Sequence, residues 1–314
     1  MTDTKWFSLG VKSTDKTLIF FILTIYHKIR KSYNILIIIL SVDVTKSDYD
    51  VPKIEMDYYV TTPYKTKNTP HIMVGKDNET YFVKFNEKNN NRIGINELVC
   101  NLIGLKLELP LFEPIIAIIS EELIKNNDQL KEFPEGEHFA QKYLEPFDTV
   151  ATYMSQGRNL TEELIANVRH VPDFLIFDKF VENYDRHQGN ICLLPSIALP
   201  NKVDYHLFDH DLAFQRDIVH NGSIKQIRQF QRQLEHVFFL VEGVTKRRLF
   251  DRISNKINFV KSDIPDIIKS IPSTWVTDNR DYINEIEEVL NDFTDRTVDS
   301  YLEFNKDKFP FYNK

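Results

Sequence analysis

The sequence predicts an α+β fold in two parts, a small antiparallel sheet followed by a mostly helical region. Three observations carry that expectation. Short β-like runs punctuated by prolines occupy the chain from Met56 to about residue 144. Beyond Asp148 the apolar residues recur at helical spacing. Within that region, Phe177–Asp209 reads as a helix that delivers the polar loop Tyr184-Asp185-Arg186-His187-Gln188-Gly189-Asn190 into a pair of short strands.

The chain has 314 residues, 42% of them hydrophobic, enough for one large domain or two lobes. A net charge of -7 argues against a broad nucleic-acid surface, which would cluster Lys and Arg, so nucleic acid is not an expected partner. Cys100 and Cys192 each sit in an apolar stretch and read as buried free thiols, which favours a reducing, cytoplasmic setting.

Residues 1–55 read as an N-terminal extension. Leu18–Ile25 and Ile35–Leu40 are strongly apolar, but Lys28, Arg30 and Lys31 lie between them. Each such charge costs about 2.5–3.5 kcal/mol at a membrane centre, and neither run reaches the ~18–20 residues of a span. No cleavage site for a signal peptide follows. A strand or helix pair packed on the main domain, or a poorly structured extension, is expected; contact with a membrane surface through residues 1–55 is the alternative.

The β-like runs are Tyr58–Thr62, His71–Val74 and Tyr81–Phe85, bounded by Pro63, Pro70 and an Asp77-Asn78 turn. In the third, Tyr81, Val83 and Phe85 face one way and Phe82 and Lys84 the other. The flanking aromatics imply burial, so Lys84 wants an anionic partner unless it is a solvated strand lysine. Asn96 is placed to cap a helix carrying Leu98, Leu102 and Leu105, with Gly104 near its end and Glu97 in its first turn, where a negative charge suits the helix dipole. A strand at Ile115–Ile119, a solvated acidic insert or short helix within Ser120–Glu137 and a strand candidate at His138–Glu145 follow. Helices are expected at Thr161–Val168, Pro172–Asn183, Ile224–Val241 (Ile227, Phe230, Leu234 and Val237/Phe238 on one face, stopped by Gly243), near Lys246–Ile257, and at Tyr282–Leu302. Trp275, Phe293 and Tyr301 read as core aromatics.

The chemistry concentrates after the Pro172–Asn183 helix. The apolar runs Ile191–Leu194 and Tyr205–Phe208 form a hairpin whose two ends can gather Asp185, Asn190 and Asp209 around one point. Hard oxygen ligands of this kind suit Mg²⁺. Phosphoryl transfer needs such a set, one Asp for the hydroxyl proton and an Asn and a second Asp for metal. His187, His206, His210 and His220 lie near carboxylates, but zinc spacings such as H-E-x-x-H do not occur, so a zinc hydrolase is not expected. His187 reads as ordering the loop, Arg186 as pairing with an acid, and Asp211 as either a second metal contact or a solvated acid.

The five-residue step from Asp185 to Asn190 is that of the protein-kinase catalytic loop, and Asp209 stands where kinases carry their metal Asp. "NYDRHQGN" followed by "LFDHDLAF" resembles the HipA-like kinases and, more distantly, the phosphatidylinositol 4-kinases. The resemblance runs from about Met56 to Phe214. It implies a two-lobed protein-kinase-like fold: 56–144 as a lobe of sheet plus one helix, and 145–314 as a helical lobe with the catalytic loop and metal-binding hairpin. It also implies Asp185 as catalytic base, Asn190 and Asp209 as metal ligands, and Lys84, in the "KF" strand, as the phosphate-binding lysine. Glu97, in "NELVCNLIGLKLELPLFEP", becomes the partner of Lys84. Within a hinge at Gln141 to Glu145, Tyr143 and Leu144 face adenine by position only. The chain departs from protein kinases proper in having Asp209-His210-Asp211 for Asp-Phe-Gly, and it has no G-x-G-x-x-G loop. The implied reaction uses ATP and Mg²⁺ to phosphorylate a hydroxyl, Ser or Thr of a protein substrate leading. A lipid or small-molecule kinase and a nucleotide-binding pseudokinase are the alternatives, and an antitoxin-like partner is compatible with the family.

Overall fold

The alternation in Tyr81–Phe85 decides how the first part of the chain closes on itself. The computed structural model describes residues 49–62, 70–88, 90–145, 148–158, 160, 164–167, 170–183, 185–214 and 255–293. In it, strand β3 (Thr80–Lys84) buries Tyr81 and Val83 and leaves Thr80, Phe82 and Lys84 half-buried on the opposite face. β3 pairs antiparallel with β2 (His71–Gly75) and with β5 (Gly136–Lys142). β2 pairs with β1 (Lys53–Thr61), and β5 with β4 (Pro114–Ile119), again antiparallel. β1 and β4 then run parallel, with Lys53 opposite Ile116, and close a barrel of order β1-β2-β3-β5-β4. The small antiparallel sheet read from the sequence is thus a closed barrel with one parallel seam. Closure leaves no unpaired edge. Met56, Met73, Tyr81, Val83, Phe85, Ala117, Ile119 and Ala140 form its apolar interior.

Helix α1 (Arg92–Lys106) packs beside the barrel, and its start corrects the expected cap at Asn96. The helix begins a turn earlier, with Asn91 in the cap position making no side-chain cap bond. The capping oxygen comes from Asn86 Oδ1, which accepts the Gly94 N–H at 3.0 Å. Asn96 and Glu97 therefore lie in the second turn, fully buried, and no acidic residue occupies the first. The dipole reading of Glu97 falls with that shift. Near the helix end, a Cβ on Gly104 would stand 2.7 Å from the Leu111 side chain, which packs into the space that the glycine leaves.

The acidic insert after β4 is less solvated than expected. Ser120 Oγ accepts the Leu123 N–H at 3.2 Å and starts helix α2 (Glu121–Lys125); Leu123 and, after it, Leu130 join the barrel interior. The chain continues through β6 (Asp148–Thr149), α3 (Val150–Ser155), α4 (Val171–Phe180), β7 (Ile191–Pro195) and β8 (Val203–Leu207). β6, β7 and β8 form a three-stranded antiparallel sheet in that order, with Ile191 opposite Leu207. Of the helix expected at Thr161–Val168, the described residues 164–167 are not helical: Ile165 makes a parallel bridge to Val203, and the Ala166 N–H donates to Val203 O at 2.8 Å.

Residues 255–260 are helical, and α5 (Ile264–Lys269), α6 (Ser273–Val276) and α7 (Arg280–Asp292) follow. The last ends at Asp292 with Phe293 extended, not at Leu302. These helices return to α1 and β5: Trp275 Nε1 donates to Glu137 O at 2.9 Å, and Tyr282 Oη to Asn96 Oδ1 at 2.6 Å. Trp275 and Phe293 are core residues, in one apolar cluster with α1, α4, β7 and β8. The apolar runs at Leu18–Ile25 and Ile35–Leu40, the Ile224–Val241 helix with Gly243, His220 and Tyr301 lie outside the described residues. No helix among the described residues is long and apolar enough to cross a membrane.

Two barrel histidines carry a pH dependence. His71 packs edge-on between Phe85 and Phe133, and burial lowers its pKa to about 4. His138 accepts the Asn86 N–H at 3.0 Å on Nδ1, so Nε2 donates to Pro134 O. Burial outweighs that last bond and lowers its pKa to about 4 as well. Between an unfolded value near 6.5 and the folded 4, the unfolded chain binds the extra protons, so stability falls as pH drops through that window. Thermal melts between pH 7 and 5 are expected to show a falling midpoint, with a shallower slope in His71→Phe; an unchanged slope would remove His71 from the account.

Candidate active site

Lys84 lies on the face of β3 turned away from the barrel interior, and it meets two carboxylates. Its ammonium donates to Glu97 Oε1 and, at 2.5 Å, to Asp209 Oδ1. The lysine side chain is 12% exposed and that of Glu97 1%, so neither is a solvated surface charge. Burial opposes the lysine's charge, but Asp209 and Glu97, with Asp211 beyond them, overcome it and raise the pKa. Burial likewise works against the Glu97 carboxylate; Lys84 and a contact from His210 prevail and hold it well below the usual carboxylate range. The pairing expected for Lys84 and Glu97 is present, and the solvated reading of Lys84 is not.

The loop after α4 is organised by Arg186, whose side chain is fully buried. Its Nε and one terminal nitrogen hold Asp178 bidentately at 3.0 and 3.1 Å. The other terminal nitrogen donates to the carbonyls of Asn190 and Phe208, both at 2.7 Å, which tie together the entry and exit of the β7–β8 hairpin. A fifth contact runs to His210 Nε2 at 2.8 Å. Asn183 Nδ2 donates to Asp178 at 3.2 Å and Asn183 Oδ1 accepts the Asp185 N–H at 3.2 Å, so the same acid steadies the backbone just before Asp185. His187 Nδ1 accepts the Gly189 N–H at 2.9 Å. A Cβ at Gly189 would stand 2.6 Å from that imidazole, so the tight turn uses the missing side chain.

Asp185 remains 43% exposed, open to a reactant. Burial, with the charge of Asp209 adding to it, raises its pKa against the opposing pull of His187. Asn190 Nδ2 donates to Asp185 O at 2.9 Å and approaches its Oδ2 at 3.4 Å. A carbonyl can only accept, so the amide orientation is set and Oδ1 is the Asn190 atom left for a cation. Asp209 sits at φ 64, a left-handed conformation that Asp tolerates better than most residues, two residues after the end of β8. Its Oδ1 meets Lys84 and its Oδ2 is the second available hard oxygen. One amide oxygen and one carboxylate oxygen fit the preference of Mg²⁺ for few protein ligands plus substrate phosphates. Asp211 is buried at 8% exposure, which rules out the solvated-acid reading; its main-chain O accepts from Asn96 Nδ2 at 2.8 Å.

Tyr143 and Leu144 follow the end of β5. The Tyr143 N–H donates to Thr80 O at 2.8 Å, and its ring stands edge-on to Phe82, centroids 4.7 Å apart. Because Thr80 and Lys84 are opposite ends of β3, the Tyr143 N–H is anchored ~13 Å along the strand from the lysine. Leu144 is exposed. His206 is not at the site; it stacks on Phe112.

Sequence reasoning missed Asp178, Asn96 and Tyr282 as parts of the site. Asn96 Nδ2 also donates to Ala213 O at 2.9 Å, so this one amide joins α1, the chain after Asp209 and Tyr282 of α7. The one signal available was an Asn placed among apolar residues in mid-helix, where an unsatisfied amide would be costly.

The model of the HipA-like kinases matches residues 62–309, well over half of the chain. The chain belongs to the HipA-like kinase family. It is therefore a phosphotransferase of the kinase class. No curated protein sequence matches it significantly. Among solved structures, this HipA-like kinase is similar to the Helicobacter pylori proinflammatory kinase CtkA, at 15% identity and a TM-score of 0.46, over 81% of this chain and 100% of that one. It is similar to the Golgi casein kinase at 12% identity and a TM-score of 0.47, over 82% and 75% of the two chains. A Shewanella oneidensis MR-1 structure of HipA with HipB and operator DNA gives 11% identity and a TM-score of 0.40, over 86% and 70%.

Removing the guanidinium of Arg186 strands Asp178, whose side chain is 1% exposed. Arg186→Met is expected to lower unfolding stability by about 3–5 kcal/mol, the usual cost of breaking a buried ion pair on one side. Urea titration checks this, and a loss below about 1 kcal/mol, the range of a surface pair, would show that the fork does not hold the loop.

Proposed function

We propose that this HipA-like kinase transfers the γ-phosphoryl group of ATP to a hydroxyl, with Ser or Thr of a protein as the leading acceptor. The observation that carries the reading is the Lys84 ammonium, bridging Glu97 of α1 and Asp209 at the end of the hairpin in a site with Asp185 still exposed. A pseudokinase used only for interaction has no chemical need of an exposed carboxylate with a raised pKa beside that pair. The reading includes a two-lobed arrangement, with residues 56–144 and 145–314 as the lobes and α5–α7 bracing α1; the boundary expected at Met56 moves back, because β1 brings Lys53–Glu55 into the barrel.

In this mechanism Asp185 accepts the hydroxyl proton as the acceptor oxygen bonds to phosphorus and the bond to ADP breaks. A raised pKa makes Asp185 a better base than an ordinary surface Asp. Asn190 holds it in place through the bond to its main-chain carbonyl. Lys84, kept charged by its two acids, positions phosphate oxygens. Asn190 Oδ1 and Asp209 would hold Mg²⁺, which when bound neutralises charge on the phosphate oxygens. Tyr143 and Leu144 would border adenine. The free, buried Cys100 and Cys192 support a cytoplasmic setting, and family kinship supports an antitoxin-like partner.

The test is incubation with γ-labelled ATP and Mg²⁺ in the presence of host lysate, followed by separation of protein, lipid and small-molecule fractions. Asp185→Ala is expected to lose about 10²–10⁴-fold in transfer while still binding nucleotide. Asp209→Ala is expected to weaken Mg²⁺-nucleotide binding itself. Unchanged turnover in Asp185→Ala sinks the assignment of the base. Label confined to lipid or small molecules replaces the protein acceptor, and nucleotide binding without any Asp185-dependent label favours the pseudokinase.

A further inference from the structure

The Glu97 carboxylate has one oxygen well served and one that is not. Oε1 accepts from Lys84 and, at 3.0 Å, from the backbone N–H of His210. Oε2 is buried without a hydrogen bond, and His210 Nδ1, 3.5 Å from it, is buried and unbonded as well. Two orphaned polar atoms facing one another in a core call for an explanation.

We propose that His210 is a positioning residue, which holds Glu97 against Lys84 through a proton fixed on its Nδ1. A guanidinium has donors and no acceptor, so the Arg186 nitrogen 2.8 Å from Nε2 can only donate to it. Nε2 must then be the bare nitrogen, and the ring proton stands on Nδ1, aimed at Glu97 Oε2. His210 in this way addresses both oxygens of one carboxylate, Oε1 with its main chain and Oε2 with its ring. The carboxylate cannot rotate away from Lys84 without losing both. Arg186 is itself immobilised by Asp178 and two carbonyls, so the tautomer is set by a buried, fully bonded neighbour. Phenylalanine, which protein kinases carry at this position, could offer neither contact. The inference rests on the kinase reading only in taking Lys84 as the phosphate-binding group.

Three variants of the full chain separate this role from packing. Asn places an amide N–H where the imidazole Nδ1 stands; Gln reaches the Nε2 position with an acceptor for Arg186 but has no donor near Glu97; Phe fills the volume with neither. Titration with Mg²⁺-ATP is expected to show affinity lowered about tenfold or more in His210→Gln and His210→Phe. His210→Asn, the smallest side chain of the three, is expected to stay within about threefold of wild type. An order set by volume, with Phe or Gln ahead of Asn, overturns the proposal. Nitrogen-15 NMR of histidine-labelled wild-type protein reads the tautomer directly, with the His210 signal assigned by its loss in a variant. A proton on Nδ1 supports the proposal and a proton on Nε2 overturns it, whether or not the protein transfers phosphate. Absence of any transfer by wild type, with the Nδ1 proton present, would count against the kinase reading alone.

Discussion

Arg186 brings a permanent positive charge and five N–H donors into a place with no exposure to water, and each of those donors has a partner. A guanidinium cannot shed its charge, so burial is tolerable only if an acid compensates it and acceptors meet the remaining donors. Asp178, in the last turn of α4, supplies the charge. The carbonyls of Asn190 and Phe208 supply two acceptors, and they are the residues that open and close the β7–β8 hairpin. The positions of Asp185, Asn190 and Asp209 follow from where that hairpin must begin and end.

Lys84 imposes the complementary constraint from the barrel side. It comes from a strand face that the apolar interior rejects, and its half-buried ammonium requires negative partners from two distant segments. Glu97 reaches it because α1 starts at Arg92, and α1 starts there because Asn86, itself anchored on His138, caps Gly94. The buried amide of Asn96 then fastens the helix to the chain after Asp209 and to Tyr282. His210 joins the two constraints, since its ring touches Arg186 on one side and Glu97 on the other.

The parts of this arrangement that were legible in the sequence are those with a local signature. Strand alternation identified the two faces of β3, and the apolar runs identified β7 and β8 to within a residue or two. The polar loop between α4 and β7 announced itself through its concentration of Asp, Arg, His and Asn. Asn96 misled because an Asn ahead of a run of leucines looks the same whether it caps a helix or lies inside one with its amide buried. The stretch around Ile165 misled because an apolar segment does not reveal whether a distant strand, here at Val203, will take its hydrogen bonds. The β1–β4 seam joins strands some sixty residues apart and leaves no local trace at all.

The sequence by itself determined the order of the chemical groups: a strand lysine, a helix glutamate, an Asp and an Asn five residues apart, and an Asp beyond a hairpin. It determined too that these groups belong to a chain able to bury a core. Only the tertiary structure decided which of them meet, and which buried polar residues, Asp178, Arg186, Asn96 and His210, hold them in place. The reason is physical. Propensity and periodicity act over a few residues, whereas a buried charge or amide must find partners wherever the fold brings them, in this protein from positions as far apart as 84 and 209 or 96 and 282.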